Sequence, residues 1–270
     1  MGLIVLILTA YFANCVLDIK WDGLRVQWNQ NVTNPNYFVK FSRTEHQAVI
    51  RGFTKIGDCD LTAKWRGRRY IQDSDYTVIL LFDIKGYIAG IQTAIPTTST
   101  YPPLKLKPPF IDEGGRSVLT AYFTDPSKIC TTGRTADEFA IEGTGSTLYI
   151  QDNIYPEAST RMPSSVDEAR RTAPWTISKC LNYMGLHYYH NITSELECDS
   201  LFPVGLLYHK GELLGFAWLF MQYLPLKRYE TVAKRFYPYV LTQVPKCFDE
   251  YDYFTSQHVY LIKNVEDVIC

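Results

Sequence analysis

Residues 78–91, VILLFDIKGYIAGI, and residues 204–216, VGLLYHKGELLGF, are written to one plan. Each has an apolar run, a Lys-Gly pair (Lys85-Gly86 or Lys210-Gly211), and a second apolar run carrying a glycine four residues after the first, Gly90 or Gly215. The first glycine supplies the positive φ of a tight β-turn, and the second relieves crowding on the returning strand. The pattern predicts two copies of one β-hairpin. The likeness continues upstream, where WRGRRY (65–70) precedes the first hairpin as YMGLHY (183–188) precedes the second. Each has a cysteine shortly before it, and Arg69 takes the place of His187.

Around these hairpins, period-two alternation bounded by turn residues recurs in GLRVQWN, YFVKFS, QAVIRGF, SVLTAYFTD, STLYIQD and QHVYLI, all of which read as strands. Helical signals are few. Ser165 to Glu168 forms a capping box, and YETVAKRFYPYVLTQV (229–244) predicts a helix interrupted at Pro238. The expected fold is mainly β, α+β at most: an antiparallel sheet or sandwich on a duplicated hairpin, with one or two short helices. The halves are expected at 16–110 and 111–270, completing one pseudo-symmetric sheet or one domain, with IPTTSTYPPLKLKPPF (95–110) as the linker.

Residues 1–15, MGLIVLILTAYFANC, carry no charge and read as a secretory signal peptide, too short in its apolar core to span a bilayer. Removing it takes Cys15 and leaves Cys59, Cys130, Cys180, Cys198, Cys247 and Cys270, an even set whose expected state outside the cell is disulfide-bonded. The sequence does not choose among their pairings. Sequons at Asn31 and Asn191 predict N-glycosylation and agree with a secreted, extracellular protein. A net charge of −1 argues against nucleic acid as a partner, and no later stretch is long enough to span a membrane. The twenty tyrosines suit sheet faces and contact surfaces alike.

Three of the five histidines, His187, His190 and His209, lie close together in sequence and are the candidates for a metal site. Against it, residues three apart on a strand point to opposite faces, and a glycan on Asn191 would hold His190 at the surface. His187 alone, behind Met184-Gly185, keeps a catalytic candidacy as general acid or base, or as one member of a site completed by His46 or His258. Tyr183, His187 and Tyr188 are the expected ligand-binding residues. No hydrolase, zincin or phosphate-loop motif occurs, and no cofactor is indicated. KWRGRRY (64–70) is expected to be a solvated basic edge, with anion contact or proteolytic processing at 66–69 as alternatives.

Between 125 and 218 the chain carries DPSKIC..GRT, EGTGSTLYIQ, KC...MGLHYY, CDSLFPVGLLY and GELLGFAW, a pattern that resembles a family of secreted, disulfide-bonded invertebrate proteins with no assigned activity. The resemblance implies a secreted disulfide-bonded domain, with Gly185, His187 and Tyr188 at motif positions, and implies no reaction. The expected function is therefore non-enzymatic binding of a small molecule, glycan or extracellular protein. A metal- or histidine-dependent enzyme, and a structural matrix or venom component, are the alternatives.

Overall fold

The computed structural model describes residues 20–172 and 174–270, so the expected leader lies outside the described residues. The first part of the chain forms β1 (Arg25–Gln27), β2 (Phe38–Lys40), α1 (Glu45–Ile50), β3 (Phe53–Gly57), β4 (Arg68–Gln72), β5 (Asp75–Phe82), β6 (Ile88–Pro96), β7 (Ile111–Asp112) and β8 (Arg116–Tyr122). Two short helices follow, α2 (Pro126–Ile129) and α3 (Ala136–Glu142). Then come β9 (Tyr149–Ile150), β10 (Thr160–Arg161), α4 (Val166–Arg171), β11 (Trp175–Leu181), β12 (Gly185–His190), β13 (Val204–His209), β14 (Glu212–Phe220), β15 (Glu230–Ala233), α5 (Tyr237–Val240) and β16 (Tyr253–Tyr260). The molecule is mainly β, as its alternation predicts.

The strands pair in two antiparallel sheets. One has the order β10-β9-β8-β6-β5-β4-β3 with β7 added to β8; the other has β11-β12-β13-β14-β16-β1-β2 with β15 added to β16. The halves interlock: β1 and β2, from the start of the chain, complete the later sheet, and β9 and β10 complete the earlier one. Residue 110 falls between strands of one sheet, because β6 and β8 pair directly. Phe82, Ile91 and Leu119 from one sheet and Leu206, Phe216 and Trp218 from the other belong to a single buried apolar cluster. Polar ties cross it, with Gln257 Nε2 donating to Thr77 O at 3.2 Å and Thr93 Oγ1 lying 2.5 Å from Tyr229 OH.

The hairpins match in register down to their irregularity. Leu81 pairs with Gly90 and Leu80 with Ile91; Leu207 pairs with Gly215 and Leu206 with Phe216, with a bulge after Leu81 and after Leu207. Both glycines lie where the next strand comes close: a Cβ on Gly90 would sit 2.5 Å from Ala121 O, and one on Gly215 2.3 Å from Val259 O. Tyr70 and Tyr188 hold equivalent places, each edge-on to a ring on the neighbouring strand, Phe82 or Tyr208. The disulfides repeat as well. Cys59–Cys130 and Cys180–Cys270 each tie the approach to the second strand of a sheet to the chain leaving its last long strand, while Cys198–Cys247 has no counterpart among the described residues.

Four local expectations are corrected. QAVIRGF (47–53) is not a strand: Gln47 to Ile50 are the end of α1, which Thr44 caps, and only Phe53 belongs to β3. The proline-rich segment is not a free linker, because Tyr101, Leu106 and Phe110 are buried in the core shared by the sheets. Residues 230–233, expected to be helical, pair with β16, and only a 3₁₀ turn and α5 follow, with Pro238 in the first turn where its missing N–H costs nothing. The basic segment is not a solvated edge. Arg66 and Arg69 are buried, Arg66 on Glu157 at 2.5 Å and Arg69 on Glu113, so each cation enters the fold with a carboxylate from its own chain.

Candidate functional site

On the side of the second sheet away from the shared core, His187 of β12, Ala217 of β14 and His258 of β16 lie on one face, since His187 pairs with Leu207, Leu207 with Gly215, and Ala217 with His258. Glu230 stands opposite Ser256 on β15. After β15 the chain crosses this face as a strap. Ser178 Oγ of β11 donates to Val240 O at 3.0 Å, and Cys247 is bonded to Cys198. Between strap and sheet lies a cavity of about 240 Å³, with His187, His258, Glu230 and Ala217 on its walls beside the rings of Tyr189, Phe236 and Phe254.

The first sheet shows why the space is open. By strand register, Arg69, Gln92 and Thr120 occupy the places of His187, Ala217 and His258. There the space is filled. Arg69 Nε donates to Gln92 Oε1 at 2.8 Å, Gln92 Nε2 donates to Thr120 Oγ1 at 2.9 Å, the guanidinium is paired with Glu113, and it stacks on Trp65 at 4.2 Å. The second copy puts an imidazole where the guanidinium was and a methyl where the amide was. At the third place His258 is larger than Thr120 and takes back part of the volume, yet a cavity remains beside His187 and Ala217.

The polar groups around the cavity are held in defined states. His187 Nδ1 lies 3.1 Å from Lys179 O and 3.0 Å from Gly185 O, so the proton is on Nδ1 and Nε2 carries the lone pair. Burial pulls the His187 imidazolium down to about 4, and burial with the neighbouring His187 pulls His258 down to about 3, the two rings being 6.1 Å apart. Both are neutral at physiological pH. Burial alone raises Glu230 to about 7. Its Oε2 is 3.9 Å from His258 Nδ1, a separation that is not an ion pair while the ring is neutral. Among the described residues, His258 Nδ1 and Ser256 Oγ are buried without a hydrogen-bond partner.

Of the expected ligand-binding residues, only His187 lines this space. Tyr188 points to the opposite face and is buried in the shared core against Tyr208, because neighbours on a strand alternate sides. Tyr183 sits in the turn before β12 at φ 68°, its amide bonded to Val268 O. The histidine trio is dispersed. His190 is half-buried against Trp175 and Phe202, and His209 ends β13 opposite Glu212. Among the described residues, no group of three His, Cys, Asp or Glu could hold a metal ion. Of the two partners considered for His187, His258 is beside it and His46 is exposed on α1.

Two residues of the cavity have no place in the sequence reading. Glu230 was hidden because its segment looks helical. Ala217 had a usable signal: the hairpin alignment, carried one residue past Ile91 and Phe216, sets Gln92 against Ala217 and exposes the loss of volume. The glycan-acceptor candidates Asn31 and Asn191 are both exposed. The six cysteines form three disulfides, and no helix among the described residues is long and apolar enough to cross a membrane, which fits an extracellular disulfide-stabilised protein. No protein-family model, no curated protein and no solved structure matches the chain, so the meaning of the cavity rests on its own geometry.

Proposed function

We propose that this is a secreted, N-glycosylated, non-enzymatic binding protein of the invertebrate family it resembles, and that its small-molecule ligand sits in the cavity beside His187. The observation that carries the reading is the contrast between equivalent places: filled by Arg69 and Gln92 in the first sheet, open at His187 and Ala217 in the second. A rigid, mostly apolar space with a few converging polar groups is what small-ligand sites share. Binding is favoured over catalysis because a nucleophile needs a hydrogen-bonded base, and neither Ser256 Oγ nor His258 Nδ1 makes a hydrogen bond among the described residues.

The test is a fragment screen by ligand-observed NMR on the full secreted chain, run beside Ala217→Leu, which puts a branched side chain into the cavity. Fragments should bind the wild type and lose binding in the variant, with the thermal transition retained. Fragments that bind both proteins equally, or none at millimolar concentration, would refute the reading.

A further inference from the structure

The duplicated architecture also says what kind of molecule belongs in the cavity. In the first sheet, the corresponding space holds an organic cation supplied by the chain itself: the Arg69 guanidinium, stacked on Trp65 and held by Glu113 and Gln92. In the second sheet the cation has gone, but its environment has been kept in kind. A carboxylate, Glu230, comes from the short strand added to the last long one, much as Glu113 follows β7, and the rings of Tyr189, Phe236 and Phe254 line the wall. Among the described residues, no lysine or arginine lines the cavity to pair with Glu230.

Hydrogen-bonding capacity has the same bias. The Glu230 carboxylate makes no hydrogen bond among the described residues, and its Oε2 stands 3.9 Å from Nδ1 of a neutral His258. His187 has spent its only ring proton on two carbonyls, so its remaining nitrogen can only accept. Ser256 Oγ and the His258 ring can also donate, but the Glu230 carboxylate and His187 Nε2 are acceptors set beside aromatic faces, and these complement a donor-rich cation. Its volume of about 240 Å³ lies below the usual range for drug-sized ligands, which limits the occupant to roughly one ring with a short amine arm.

We propose that the cavity binds a small aryl-alkyl ammonium ion, with Glu230 as its counter-ion and His187 Nε2 as an accepting partner, in the place that Arg69 fills in the first sheet. This rests on the reading of the cavity as a small-molecule site. The full chain is titrated calorimetrically with phenethylamine and with its neutral analogue 2-phenylethanol at pH 8. The amine should bind about tenfold more tightly, the size of one charge-assisted hydrogen bond in a dry site. Glu230→Gln should abolish that preference while leaving 2-phenylethanol binding in place, and Ala217→Leu should remove both, with Ala217→Val as a milder filling change if the leucine destabilises the fold. Equal binding of the two probes, or a preference that survives Glu230→Gln, would overturn the cation assignment and leave the small-molecule reading standing. Binding of neither probe to the wild type would overturn both.

Discussion

At the scale of single residues, Glu230 is the clearest source of pH dependence. Its carboxyl titrates at about 7 in the fold against an ordinary 4.5. A raised carboxyl is costless below its unfolded value, where both states are protonated, and costs stability as pH rises through the folded value, by about 3 kcal/mol in all. Glu230→Gln should therefore match the wild type at pH 4, gain on it between 4.5 and 7, and hold a level advantage above. Urea titrations across that range check it, and an offset independent of pH would contradict it. His187 and His258 act in the opposite sense. Their lowered values mean that their contribution is complete above pH 6.5 and is lost as pH falls towards 4 and 3. The titratable groups facing Glu230 are His258 at 3.9 Å and Tyr260, with His187 and Tyr189 on the same cavity wall, and burial keeps both tyrosines protonated. Two imidazoles outweigh one carboxyl, so acid should unfold the protein, with replacement of His258 by Asn extending the tolerated range downward. Gly215→Ala is a steric case: its Cβ would meet Val259 O at 2.3 Å, and the two strands must part to admit it. A loss of about 2–4 kcal/mol is expected by chemical denaturation.

Among the elements, the strap over the cavity is held to the sheet by Ser178 and by Cys198–Cys247, the disulfide without a counterpart in the other half. Replacing both cysteines by serine should cost about 2–4 kcal/mol and weaken binding in the cavity, with the β-sheet circular dichroism kept. Unchanged binding would show that the cover is positioned by packing alone. The same elements divide what was legible from what was not. The hairpins could be read because alternation and a Lys-Gly turn are local signals, and Gly90 and Gly215 fixed the alignment. The cover could not: residues 230–233 are a strand only because β16 offers an edge to pair with, and the proline-rich segment is ordered only because two sheets close over Tyr101 and Phe110. His187 was recognisable as the odd position in the duplicate, whereas its neighbours depended on which strands lie side by side.

For the whole molecule, the exchanged strands matter most. β1 pairs with β16 at the far end of the chain, and β9 with β8, so neither sheet is complete until both parts are present. Thermal unfolding should therefore be one transition by both fluorescence and circular dichroism. Residues 20–143 and 144–270, expressed separately, should be poorly folded alone and form a complex when mixed; two independently stable pieces would disprove the interdependence. No composition or periodicity could have foretold this exchange, because β9 and β10 are two residues each and say nothing of their partners. Its consequence is one of symmetry. Two copies of a half would satisfy one another by the same exchange, as in a strand-swapped homodimer, so this chain has the topology of such a dimer with its protomers joined end to end. Joining them releases the copies from being identical: one can keep a tethered arginine as filler, and the other can give up that place to a visitor, at one vacancy per chain.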